Sequence, residues 1–158
     1  LWYSQSGTPT VEFSESFQNK NYILTLTQNL TDMRKEKKLP PMVIPVLTSL
    51  LDNDGKELVK DQLLVLTKKK QNFIFSGLEK KPILSLLRNF SAPVNLVYPL
   101  SEKVLLLLLK TETDAFNRWD ISQKIFLKLI TDYLQNKPMN HSFLKGISSI
   151  VNEIPGFL

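Results

Sequence analysis

The chain has no cysteine and a single histidine among its 158 residues. The first absence excludes disulfides, thiolate metal sites and cysteine nucleophiles. It points to a reducing compartment, expected here to be the cytoplasm. The second means that a Ser-His-Asp triad would have to use His141, and that a multi-histidine zinc site within these residues is impossible. Glycine is scarce, five in all, and no Gly-rich phosphate loop, two-histidine helix motif or CxxC pair occurs. The longest uninterrupted apolar run, Val104 to Leu109, is six residues. A bilayer span needs about 20, so the expectation is a helix buried on most sides, with no membrane partner. No signal-peptide pattern is visible at the amino end.

The apolar fraction, 42%, is enough for a packed core and too high for a disordered chain. The net charge is +5. Residues 1–98 carry 13 Lys/Arg against 9 Asp/Glu, and residues 99–158 carry 7 against 6. The excess lies in Arg34-Lys35-Glu36-Lys37-Lys38, Lys68-Lys69-Lys70 and Lys80-Lys81. These runs are nearly all lysine and fall between apolar segments, where solvated loops are expected. A nucleic-acid surface would interleave arginine with aromatics, so no nucleic-acid partner is expected.

The carboxylates are scattered, and no pair can be nominated for acid–base work. His141 precedes Ser142 at a helix start, where capping or solvent exposure is expected. Asn29-Leu30-Thr31, Asn89-Phe90-Ser91 and Asn140-His141-Ser142 match the glycosylation triplet and are read as chance. Trp2 and Trp119 are expected in the core or at interdomain contacts, because their area dominates burial energetics.

Residues 1–99 read as strands. Val11 to Ser14 and Tyr22 to Gln28 alternate apolar and polar, the signature of a half-buried strand. Residues 29–41 are polar and basic and read as a loop. Met42 to Leu51 is an apolar strand in which Pro45 cannot donate to a ladder, so an edge or a bulge is expected there. Asp52-Asn53-Asp54-Gly55 reads as a hairpin turn. A calcium loop fails on spacing, with Lys56 at the fifth position. Leu58 to Thr67, Asn72 to Phe75, Ile83 to Phe90 and Val94 to Tyr98 complete about seven strands, as in an all-β sandwich.

The period then changes. Ser101 caps a first helix through Leu109, and Thr111-Glu112-Thr113-Asp114 breaks it and supplies a new cap. A second helix runs from about Ala115 to Gln135, with Phe116, Trp119, Phe126, Ile130, Tyr133 and Leu134 on one face and Lys124 and Lys128 opposite. Asp120 and Lys124 form a pair with the acid four residues N-terminal. After a turn at Pro138 and Asn140, Phe143, Leu144, Ile147, Ile150, Val151 and Ile154 make a third stripe, ended near Pro155-Gly156. The fold class is therefore mainly β followed by α: residues 1–99 a β-sandwich, residues 100–158 three helices that make a poor core alone and begin a helical array.

Three stretches carry a resemblance: Trp2 to Pro9 (WYSQSGTP), Phe90 to Tyr98 (FSAPVNLVY) and Phe116 to Gln123 (FNRWDISQ). Together, and in this order, they resemble the bacterial-type aminopeptidase N family, zinc metallopeptidases of the gluzincin group. Ile44-Pro45-Val46 and Asp52 to Lys56 fit the same alignment. Residues 29–41 depart from it, being Lys-rich where the family is Pro-rich. The resemblance implies an immunoglobulin-like third domain over residues 1–99, then the first helices of a C-terminal helical domain.

It also implies a parent enzyme that removes N-terminal residues from peptides. Its zinc would be held by two histidines of an HExxH helix and a downstream glutamate, and its substrate amine gripped by a Gly-x-Met-Glu-Asn segment. None of these motifs occurs in residues 1–158. No catalytic, cofactor-binding or metal residue is carried over, and no cofactor is expected in this chain. The implied partners are the catalytic and helical domains of the same polypeptide, with Trp2 and Tyr3 as interdomain anchors. A free-standing immunoglobulin-like interaction module is the alternative, and a basic nucleic-acid binder a more distant one.

Overall fold

The computed structural model describes residues 7–32, 37–97, 101–138 and 140–153. Trp2-Tyr3, Arg34 to Glu36, the strand end at Tyr98-Pro99 and the helix end at Ile154 to Gly156 lie outside the described residues.

Alternation in the first strands places them as expected. β1 (Thr10–Gln18) and β2 (Asn21–Asn29) pair antiparallel from Thr10↔Asn29 to Gln18↔Asn21. The two-residue turn between them has Asn19 and Lys20 at φ 50° and 61°, the double left-handed geometry that suits strand twist. β1 is thus longer than the Val11 to Ser14 alternation marks, because its second half is half-exposed and loses the apolar signal. Tyr22, Leu24, Leu26 and Gln28 point inward from β2. β7 (Lys70–Phe75) pairs with the other edge of β2, and β9 (Asn95–Val97) lies parallel to β1, giving the sheet order β7-β2-β1-β9.

The second sheet has the order β6-β5-β8, from β5 (Ile44–Leu51), β6 (Glu57–Leu66) and β8 (Ile83–Leu86). β5 is central, yet Pro45 sits where the strand is locally an edge. β8 pairs only with Thr48 to Leu51. The Leu47 amide on that side donates to the Ser91 hydroxyl at 2.9 Å, so the missing amide of Pro45, two residues earlier, faces no strand. Seven strands in two sheets match the sandwich reading. One correction falls in the basic loop: β3 (Thr31–Asp32) and β4 (Lys37–Lys38) form a two-residue antiparallel pair, too short to leave a period in the sequence. A second is at Ile83 to Phe90, where the strand stops at Leu86 and a short 3-10 turn, Arg88–Phe90, follows.

The inner faces enclose one apolar cluster, which includes Tyr22, Leu24, Leu26, Ile44, Val46, Leu50 and Leu66. Gln28 crosses it. Its amide donates to the Met42 carbonyl at 2.8 Å and accepts from the Met42 amide at 2.8 Å, so a buried polar side chain ties β2 to the segment leading into β5 without an unpaired atom. Tyr22 is fully buried and gives its hydroxyl to Glu15 at 2.7 Å. Burial, then that hydrogen bond and the Glu15 charge, push its ionisation far above the ordinary range. Lys68, Lys69, Lys70, Lys80 and Lys81 are exposed at turns, and Lys81 is paired with Glu15.

α1 (Glu102–Thr111) starts at a Ser101 cap, and α2 (Ala115–Leu134) starts at Asp114, whose carboxylate accepts from the Asn117 amide at 2.8 Å. α3 (His141–Glu153) starts where Asn140 accepts from the Ser142 and Phe143 amides. Leu105, Leu108 and Leu109 of α1 are buried and Val104, Leu106 and Leu107 half-buried, as expected for that run. Among the described residues no helix is long and apolar enough to cross a membrane. The second helix is corrected. Its packed face is Asn117, Ile121 and Ile125, while Trp119, Phe126, Ile130, Tyr133 and Leu134 are all more than half exposed. The aromatic stripe is real, but beyond Phe116, which is half-buried, it faces away from the other described residues. Lys128 does lie opposite that stripe, which puts it on the packed side: it reaches Glu102 of α1 at 3.3 Å and pairs with Asp132 of its own helix at 2.6 Å.

The β5–β6 hairpin closes at Asp52 to Gly55 as the sequence indicates. The Asp52 carboxylate accepts from the Asp54 and Lys56 amides at 2.9 Å, and Gly55 sits at φ 85°. A Cβ on Gly55 would lie 2.3 Å from Cβ of Thr111, at the end of α1. Gly77 has a similar φ of 81° but open space around it. Gly55→Ala is expected to cost about 2 to 4 kcal/mol and Gly77→Ala about 1 kcal/mol, because only the former adds a clash with the Thr111 side chain to the left-handed penalty. Urea denaturation of the two variants checks the difference.

Candidate functional site

The most concentrated polar chemistry is buried where the second sheet meets the helices, and Arg88 is its centre. An arginine inside the apolar run Ile83 to Phe90 must find charge partners if it is buried, because an unpaired guanidinium out of water is prohibitively costly. Arg88 is 4% exposed. One terminal nitrogen donates to Glu57 at 2.7 Å, approaches Asp61 at 3.0 Å and also bonds the Ser49 hydroxyl. The other donates to the Thr113 hydroxyl at 2.6 Å and lies 3.5 Å from Glu112. Its Nε is buried without a partner. The shell thus comes from β5, β6 and the α1–α2 linker together.

Local irregularities bring these groups in. The β5–β6 register shifts twice between Thr48 and Leu51, and Asp61 at the bulge adopts φ 45°. Its amide then donates to the Ser49 hydroxyl at 2.9 Å while its carboxylate turns to Arg88. On the other side, Leu87, Asn89 and Phe90 are left-handed, with φ 59°, 53° and 49°. Three such non-glycine residues in one turn are costly, each by roughly 1 to 3 kcal/mol. They are held by the Asn89 amide donating to Asp114 at 3.1 Å, by the Ser91 amide donating to the Arg88 carbonyl at 3.1 Å, and by the Arg88 side chain.

The linker Thr111-Glu112-Thr113-Asp114 completes the joint. Glu112 is 1% exposed. It accepts from the Ser85 hydroxyl at 2.5 Å and from the Asp114 amide at 3.0 Å. Asn117 donates to Ser85 Oγ at 3.0 Å and to the Leu86 carbonyl at 2.9 Å, and Arg118 Nε donates to the Glu112 carbonyl at 3.0 Å. Each polar residue of the linker beyond Thr111 therefore bonds the sandwich directly or caps the helix that packs on it. The Arg88 hydrogen bond, more than the pair's charge attraction, holds Glu57 below its ordinary pKa against burial. Burial pulls Arg88 down, but the Glu57 bond and the Glu112, Asp61 and Glu57 charges outweigh it and raise the net value.

His141 is exposed at the first turn of α3. Among the described residues no group of three or more His, Asp or Glu is placed to hold a metal ion. Trp119 stacks on Phe116 at 5.9 Å between ring centres, and Phe116 on Phe90 at 4.9 Å, a half-exposed aromatic row beside the joint. The polar joint was missed in the sequence, although two signals were present: a lone arginine in an apolar run, and two acids in the break between apolar helices.

Three outcomes are expected. Arg88→Met leaves Glu57, Asp61 and Glu112 without their cation and costs about 3 to 5 kcal/mol, read by urea denaturation. Glu57 has a lowered folded-state pKa, so its contribution is complete above its ordinary value of 4.5 and is lost as pH falls below that. Stability of the wild-type chain should drop on acidification through that region, and Arg88→Met should lose this component. Phe90→Gly should be more stable than Phe90→Ala by about 1 kcal/mol, since both lose the ring contact and only glycine removes the left-handed cost.

Residues 7–99 match a protein family described as a domain of unknown function (DUF3458) with an Ig-like fold. The chain is 32% identical to aminopeptidase N of Escherichia coli (strain K12) over 152 residues, 88% of this chain and 18% of that protein. It is 38% identical to aminopeptidase N of Haemophilus influenzae over 135 residues, 79% of this chain and 15% of that protein. Among solved structures, Legionella pneumophila aminopeptidase A in complex with aspartic acid matches with a TM-score of 0.80 and 29% identity, over 96% of this chain and 17% of that one. The chain spans less than a fifth of the length of these relatives. It is homologous over most of its own length to the aminopeptidase N proteins, and by its sandwich it belongs to the DUF3458 family of Ig-like domains.

Proposed function

We propose that this chain is a non-catalytic architectural part of a zinc-dependent, cytoplasmic aminopeptidase that removes N-terminal residues from peptides. Residues 1–99 act as an immunoglobulin-like spacer and residues 100–158 begin a helical domain. The partners are the catalytic and helical domains of the same polypeptide, with no nucleic acid and no membrane. The observation that carries this reading is the likeness to aminopeptidases across strands and helices alike, 96% of the chain at TM-score 0.80, joined to a buried polar joint that makes the two halves bear on each other. A spacer is useful only if its ends are held at a fixed angle.

Zinc does not fit the residues of this chain. The one histidine is exposed and solitary, and the clustered carboxylates are engaged by Arg88, Ser85 and backbone amides, whereas catalytic zinc takes three nitrogen or oxygen ligands on one small site. The zinc and the peptide-bond chemistry are assigned to residues outside 1–158. The exposed stripe of α2 favours this reading over a free-standing interaction module, because the helices leave one apolar face open. Purified and exposed to zinc, the chain should bind no stoichiometric metal by elemental analysis and hydrolyse no aminoacyl substrate. Robust activity, or one zinc per chain, overturns the proposal. A monodisperse, monomeric chain by light scattering would count for the module reading.

A further inference from the structure

We propose that the Leu87–Phe90 turn and the Thr111–Asp114 linker form a strained polar latch, and that this latch, more than apolar packing, couples the sandwich to the helices. It deepens the spacer reading above and rests on it only for its purpose. The apolar contribution to the joint is narrow. The sandwich and the helices have distinct apolar clusters, and among the described residues the sandwich lends the helical one Leu51 and Ile83 alone, with Phe90 stacked on Phe116 beside them. Polar contacts across the same joint are far denser. Arg88 reaches Thr113 and Glu112, Ser85 reaches Glu112, Asn117 reaches Ser85 and Leu86, and Asp114 holds the Asn89 amide.

The turn cannot hold itself. Leu87, Asn89 and Phe90 sit in a left-handed conformation that relaxes once its restraints go. Beside the Ser91 amide bond and the buried Leu87 side chain on the sandwich side, its restraints across the joint are a guanidinium and a helix-capping carboxylate, groups that bind by geometry rather than by area. Their loss opens the joint locally and leaves the sandwich folded on its own cluster. Two halves with one polar hinge behave as one body while the latch is closed and as two when it opens.

Hydrogen exchange by mass spectrometry on the 158-residue chain tests this independently of any peptidase activity. Arg88→Lys keeps the charge but loses the planar fork, and Thr113→Val removes one hydroxyl, with its bonds to Arg88 and Glu57. Arg88→Lys is expected to speed exchange at residues 87–91 and 111–118 by about tenfold, while residues 22–28 of β2 keep wild-type rates. Thr113→Val should show the same pattern at smaller amplitude, and decides the matter if Arg88→Lys fails to fold. Unchanged exchange at both segments overturns the proposal. So does a uniform rise that includes β2, which would make Arg88 a contributor to global stability and no latch.

Discussion

Removing the Arg88 guanidinium from water sets the terms for everything around it. Such a charge is tolerated only if carboxylates and hydroxyls meet it in nearly ideal geometry, and those groups must come from wherever the chain can deliver them. Here they come from a bulged strand, a central strand and a linker between helices. The bulge at Asp61 and the left-handed turn at Leu87 to Phe90 are easier to understand as consequences of that demand than as defects in the sheet. Replacing such a cluster by apolar side chains is often neutral for stability, so its worth lies in geometry: a guanidinium with several fixed partners accepts one arrangement, whereas leucines accept many.

The sandwich was largely legible from the sequence because strands such as β2 have one wetter and one dry face. Tyr22, Leu24 and Leu26 point in while Ile23, Thr25 and Thr27 do not, and that alternation is visible without coordinates. The Asp-Gly turn and the helix caps at Ser101 and Asp114 were legible for a similar reason: local chemistry specifies local geometry. Family resemblance added the immunoglobulin-like description, which alternation alone leaves open.

What escaped was long-range. The partners of Arg88 lie up to 39 residues away in sequence, and no period or spacing announces them. The face of α2 was misjudged for a different reason. The helix carries apolar residues on two opposite sides, one ending on Ile121 and Ile125 and the other on Trp119, Phe126 and Ile130. A helical period marks both sides alike, and only the neighbours decide which is covered. The larger residues form the more conspicuous stripe, yet the smaller ones pack against the rest of this chain.

The pairing of β1 with β9 bears on how this unit would carry load. The two strands run parallel, with Thr10 beside Asn95 and Glu12 beside Val97. The chain therefore enters the sandwich and leaves it along neighbouring strands that point the same way. A pull applied between residue 10 and the helices beyond residue 97 would slide these strands past each other along their length. The ladder bonds would then share the force and fail together, where a hairpin pulled open from its ends loses them one at a time. The sandwich is strung like a rivet in shear.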